Sequence, residues 1–121
     1  MRPQRSYIDF LRDILQASNE AVAFTAGMDF PTFNSDRRTN LAVTRALEII
    51  GEAARHVPAS VRRRYPLVPW QDMTDMRNKV IHDYFGVDLE VVWRTVQDDL
   101  PPLCEAVQQI LAELGDKSAG G

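Results

Sequence analysis

Ala42-Val43-Thr44-Arg45-Ala46-Leu47-Glu48-Ile49-Ile50-Gly51-Glu52-Ala53-Ala54 decides the fold. Two apolar series run through it. Val43, Leu47, Ile50, Ala54 and Val57 form one; Ala42, Ala46, Ile49 and Ala53 form the other. Steps of three and four are the mark of a helix. Two stripes mean that this helix is contacted on more than one side, as a central bundle helix or one at an oligomer interface would be. Gly51 lies inside it, where glycine costs about 1 kcal/mol relative to alanine, so a close helix crossing is expected there. Ser35 or Asp36 can cap the start; the helix should run to about His56, and Pro58 closes it.

Working outward, Ile8, Leu11, Ile14, Leu15 and Val22 give an earlier amphipathic helix, with the small Ser18 in phase where a neighbour can approach. Ser6 can cap it and Gly27 can end it. Asp29 to Asn34, with Pro31, reads as a loop from which Phe30 and Phe33 reach the core. On the other side, Ala59 to Tyr65 predicts a short helical turn capped by Ser60. Pro66 and Pro69 bracket a loop. Trp70 to Tyr84 predicts a third long helix with Met73, Met76, Val80 and either Tyr84 or Ile81 inward, ended by Gly86. Asp88 is a good N-cap for a fourth, and Val87 and Val92 stand at hydrophobic-staple positions. Trp93, Val96, Leu100, Leu103, Val107, Ile110 and Leu114 then hold one phase across Pro101-Pro102. A proline pair there predicts a kink, or two nearly collinear halves on the same core. No segment alternates as a strand does. The expected fold is all-α: an antiparallel four-helix bundle with a short extra helix, one domain over residues 1–114 and a flexible tail over 115–121.

The bulk properties suit this. At 121 residues the chain fits one domain. Its 45% hydrophobic and 26% charged residues are ordinary for a globule. A net charge of -3 does not announce nucleic acid, so any RNA contact needs a local basic patch. A single cysteine, Cys104, excludes an intrachain disulfide and reads as a small buried residue in a reducing cytosol. No signal peptide or membrane span is expected, which points to a cytoplasmic protein.

The chemistry concentrates in Arg77-Asn78-Lys79-Val80-Ile81-His82-Asp83-Tyr84, which holds one of the two histidines. An arginine offers a charged fork that matches phosphate. A histidine with its ordinary pKa of about 6.5 exchanges a proton at neutral pH. Together they supply what metal-free cleavage of an RNA phosphodiester needs. His82 would take the ribose 2′-hydroxyl proton or protonate the leaving oxygen, and Arg77 would stabilise charge on the phosphoryl oxygens. Asn78, one turn before His82, can orient its ring. On a regular helix five residues turn through about 140°, so Arg77 and His82 do not share a face. They converge only if the helix end near Gly86 is distorted or a second molecule forms the other wall, as in a symmetric dimer. On residue type alone, the pair also fits a solvated face or a core histidine, and Tyr84 a buried aromatic with its hydroxyl at the rim.

The Arg, four residues, His, one residue, Tyr pattern at Arg77, His82 and Tyr84 resembles the signature of the HEPN superfamily. The segment Ala46 to Ala54, Pro69-Trp70, Met76 to Phe85 and Val91-Val92-Trp93 resemble its HepT-like branch, and the likeness spans roughly Tyr7 to Leu114. It implies a HEPN-like bundle and a dimeric, metal-independent endoribonuclease without a cofactor. It implies the toxin of a type VII toxin–antitoxin system, with Arg77, His82 and Asn78 in the site. It also implies a cognate minimal nucleotidyltransferase (MNT-type) as antitoxin, able to attach AMP to Tyr84. A bulky anion there would fill the phosphate site and repel RNA. The alternative within the same fold is a non-enzymatic HEPN module that binds a nucleotidyltransferase partner or a nucleotide.

Lesser features remain. Arg62-Arg63-Arg64, together with Lys79, can contact RNA backbone, although a basic run on a turn also reads as a solvated face. Arg37-Arg38 is a weaker form of the same signal. Glu52 and His56, four apart on one helix, have metal-ligand spacing but no second ligand pair, so a helix-surface ion pair is expected and no metal site. Glu52, within the family-like segment, could instead face a dimer cleft.

Overall fold

In the computed structural model, which describes residues 6–75 and 88–120 with side chains as far as Leu114, helix α1 spans Tyr7–Phe24. Its start is held by the Asp9 carboxylate, which accepts from the Ser6 N–H at 3.2 Å. Its end is released by Gly27, whose φ of 80° is cheap only for glycine. Leu11, Ile14, Ala17, Ser18 and Ala21 form its buried face.

The next segment departs from expectation. Phe30–Ser35 is a short helix, α2, not a loop. Asp29 caps it by accepting from the Thr32 N–H at 2.9 Å, and Pro31 sits in its first turn, where a missing N–H costs nothing. Phe33 does reach the core and is wholly buried, with its ring 5.2 Å from that of Trp93. Asp36 then caps α3, Arg37–Arg55, through the Thr39 N–H. Both stripes expected of α3 are covered: Val43, Leu47, Ile50 and Ala54 are buried, as are Ala46, Gly51 and Ala53, with Ala42 and Ile49 half-buried.

Helix α4, Ala59–Arg64, has Pro58 at its N-cap position in place of the expected Ser60, and no side-chain cap. The loop through Pro66 follows, and residues 70–75 open helix α5. The remainder of the expected third long helix, including Met76, Val80, Ile81, Tyr84 and Gly86, lies outside the described residues, as does Val87. Asp88 caps α6, Leu89–Arg94, by accepting from the Glu90 and Val91 N–H groups at 3.0 and 3.3 Å.

The proline pair is absorbed without ending the helix. Thr95–Asp99 forms a π-helical turn, in which the Leu100 N–H reaches back to the Thr95 carbonyl. Helix α7, Leu100–Gly120, continues directly. A proline in a regular helix clashes with the carbonyl four residues back, and a π turn just ahead of Pro101 displaces those carbonyls. The two halves stay on one core: Val92, Val96, Leu100, Leu103, Val107, Ile110 and Leu114 are all buried. Trp93 is half-buried, packed against Phe30 and Phe33. The backbone of α7 stays helical past Gly115, where composition reads as a tail.

Helix α1 packs between α3 and α7. Its direction is opposed to both. Phe10, near its start, stacks on His56 at the end of α3 with ring centroids 4.7 Å apart. Thr25, at its end, accepts from Gln97 Nε2 at 3.1 Å. Seven residues away in each chain direction, Ser18 lies against Cys104. Burial raises the pKa of that thiol, and the Ser18 hydroxyl only partly offsets this. Among the described residues there is no strand, and no helix is long and apolar enough to cross a membrane.

Candidate functional site

Arg77, Asn78, Lys79, His82 and Tyr84 all lie outside the described residues. The structure describes the frame from which their segment departs and to which it returns. On the entry side Pro69 is followed by Trp70, which is 7% exposed and whose indole N–H donates to the Tyr65 carbonyl at 3.0 Å. A buried indole needs such an acceptor, and this one ties the start of α5 to the end of α4. The Met73 N–H donates to the Pro69 carbonyl at 3.1 Å, and the Met73 side chain is buried. Thr74 Oγ1 donates to the Trp70 carbonyl at 3.2 Å and Gln71 Nε2 to Asp75 Oδ1 at 2.9 Å. On the return side, Asp88 caps α6 and Val92 is sunk in the core. The stretch that carries Arg77 and His82 is therefore anchored on either side by a buried apolar residue and a satisfied helix start.

The basic run divides. Arg62 turns inward: its Nε donates to the Val57 carbonyl at 2.9 Å, and one terminal nitrogen donates to the Ala54 and Arg55 carbonyls at 3.2 and 3.1 Å. Ala54 and Arg55 are in the last turn of α3, whose carbonyls lack regular helical donors, although Ala54 also accepts from the Val57 N–H at 3.2 Å; Val57 follows the helix. Arg62 thus ties α4 to the end of α3, with its guanidinium engaged by backbone carbonyls. Arg63 and Arg64 are exposed, with the Arg64 guanidinium 5.7 Å over the Tyr65 ring. The Tyr65 hydroxyl donates to Glu113 Oε2 at 2.8 Å, which raises the phenol's pKa and ties α4 to α7.

The second histidine is engaged in structure. His56 stacks on Phe10 and its Nε2 lies 3.3 Å from Glu52 Oε1. Glu52 is also 3.9 Å from Arg55. This is the helix-surface pair expected from the four-residue spacing. Among the described residues no group of histidine, cysteine and acidic side chains is placed to hold a metal ion.

One feature escapes sequence reasoning: a cleft of about 360 Å³ between α3, the loop after α4, α5 and the start of α7. Its walls come from residues as far apart as Leu47 and Ala106. The only local signal is Leu67, an aliphatic side chain between two prolines.

Comparison with known proteins places these observations in a family. The family model "Ribonuclease HepT-like" matches residues 14–110. A protein of Thermococcus cleftensis named "Probable ribonuclease HepT" is 47% identical over 100 residues, covering 83% of this chain and 91% of its own. "Putative RNase MJ0125" of Methanocaldococcus jannaschii is 37% identical over 115 residues, covering 95% of this chain and 99% of its own. "Putative RNase TTE0752" of Caldanaerobacter subterraneus is 37% identical over 102 residues, covering 84% of this chain and 91% of its own. No solved structure matches.

Proposed function

Since this chain belongs to the ribonuclease HepT-like family, we propose that it is a metal-independent endoribonuclease acting as the toxin of a toxin–antitoxin pair. The observation that carries the reading is the family match itself. It spans residues 14–110 and so includes the whole Arg77–Tyr84 stretch, whose residue types suit RNA cleavage.

In this reading His82 removes the proton from the ribose 2′-hydroxyl, and the 2′-oxygen attacks the adjacent phosphorus. The bond from phosphorus to the 5′-oxygen breaks, and that oxygen takes up a proton. The imidazole suits this work because its ordinary pKa, about 6.5, lies near neutral pH. Arg77 holds the phosphoryl oxygens as charge builds on them. Asn78 fixes the tautomer of His82. Because Arg77 and His82 are about 140° apart on a regular helix, a homodimer completes the site, with two copies of the pair facing one cleft. Arg63, Arg64 and Lys79 guide the RNA backbone. Control comes from a nucleotidyltransferase antitoxin that transfers AMP to Tyr84, placing an anion where the RNA phosphate would sit.

The test is cleavage of RNA by purified, unmodified protein in EDTA. Wild type should cut, and Arg77→Ala and His82→Ala should each lose at least about a hundredfold in rate while remaining dimeric in sedimentation. Failure of the unmodified wild type to cut any RNA would refute the enzymatic reading. For the switch, intact mass should rise by AMP increments only on co-expression with the partner, and Tyr84→Phe should abolish them.

A further inference from the structure

We infer that the cleft beside Leu67 is a docking site for a basic amphipathic helix of another protein. The floor and walls are apolar: Leu47 and Ile50 of α3, Met73 of α5, and Leu100, Leu103 and Ala106 of α7. At the rim stands Leu67, 97% exposed. A wholly exposed leucine beside an apolar hollow is a surface that gains by being covered. The loop that presents it is held from behind: Val68 is buried, and the Trp70 N–H donates to its carbonyl at 2.9 Å. Leu67 is therefore an exposed side chain on a fixed loop.

Charge selects the occupant. Asp72 and Asp99 line the same cleft from opposite elements, α5 and the π turn. Both are exposed, and among the described residues neither side chain has a hydrogen bond or ion pair. Asp29, Asp36 and Asp88, by contrast, are committed to caps, Glu48 to Arg45 and Glu113 to Tyr65. RNA and anionic membrane surfaces would be repelled by this rim. A second copy is disfavoured too, because a two-fold contact centred on this cleft presents the same patch from both sides and would bring two further carboxylates, and no cation of the rim, to the same hollow. What fits is a helix laying aliphatic side chains into the groove, with lysine or arginine at its edges to meet the two carboxylates.

The experiment follows methyl NMR signals of full-length protein during titration with an amphipathic helical peptide of leucine and lysine, and with the same peptide carrying glutamate at every lysine. The lysine peptide should shift the methyls of Met73, Leu100 and Leu103. The double variant Asp72→Asn, Asp99→Asn, which leaves the walls intact, should weaken its binding about fivefold or more, the effect of losing two exposed charge pairs. Added salt should weaken it as well. Equal binding of the glutamate peptide, or no shift at these methyls with either peptide, would overturn the inference. Shifts of the same methyls on concentrating the protein alone would also overturn it, by making a second copy the occupant. RNA cleavage by the double variant should equal that of wild type, which separates this result from any failure of the enzymatic reading.

Discussion

The end of the bundle around α2 and the side around the Pro66–Pro69 loop use the same residue types to opposite ends. At α2, aromatic rings are buried and acids are spent: Phe33 is wholly buried against Trp93, and Asp29 and Asp36 each cap a helix. At the loop, an aliphatic side chain is left in solvent and acids are left unpaired: Leu67 is exposed, and Asp72 and Asp99 stand at the cleft rim. Both regions are formed by short connections between long helices. The difference teaches that at α2 apolar burial and cap satisfaction close the surface together, whereas at the loop both lapse together.

The contrast can be broken by truncating one side chain in each region. Phe33→Ala should cost about 3–5 kcal/mol in denaturant unfolding, because it leaves a large cavity under Trp93. Leu67→Ala should stay within about 0.5 kcal/mol of wild type. A comparable loss at both positions would mean that Leu67 is packed in solution. Arg62 and Arg63 sharpen the same point within one turn. Arg62→Ala removes the side-chain donor from the Val57 and Arg55 carbonyls and one of several from Ala54, and should lower stability by about 1–3 kcal/mol. Arg63→Ala should leave stability unchanged but weaken RNA binding and flatten its salt dependence. Tyr65→Phe removes an exposed bond to Glu113, and should cost less than about 1 kcal/mol after solvent screening.

The smallest effect concerns pH. The Thr39 N–H and hydroxyl hold the Asp36 carboxyl below its ordinary pKa, and the Thr32 hydroxyl and N–H do so for Asp29. A carboxyl depressed in the folded state binds its proton more readily when unfolded. Its stabilisation is therefore present above the ordinary carboxylate pKa of about 3.9 and is lost as pH falls through the lower folded value. Thermal melts of Asp36→Ala should differ from wild type at pH 7 and converge with it in acid. A gap that persisted at the lowest pH would mean that the cap acts without its charge.

Much of the fold is legible in the chain. The two stripes of α3 and the caps at Asp36 and Asp88 are local signals, and the structure places them as expected. Asp29 and Pro31 also carry a helix signal, a cap followed by a proline in the first turn, but the phenylalanines around it resemble loop residues. The π turn before Pro101 was not legible, because no residue type demands a bond from Leu100 to Thr95. Arg62 was misleading for a related reason: charge type cannot tell a solvated guanidinium from one turned onto carbonyls eight residues away. The cleft was hidden because its walls meet only in three dimensions. For the Arg77–His82 stretch, the chemistry is readable from residue types and family likeness, while its geometry lies outside the described residues.

The central claim is that His82 and Arg77 cut RNA through the ribose 2′-hydroxyl without a metal. The most direct measurement is the chemistry of the ends produced by wild-type protein in EDTA. Attack by the 2′-oxygen predicts a 2′,3′-cyclic phosphate on one fragment and a 5′-hydroxyl on the other, with no cut where the scissile nucleotide is replaced by its 2′-deoxy form. Fragments with 5′-phosphate ends, or cleavage that persists at the 2′-deoxy position, would contradict it.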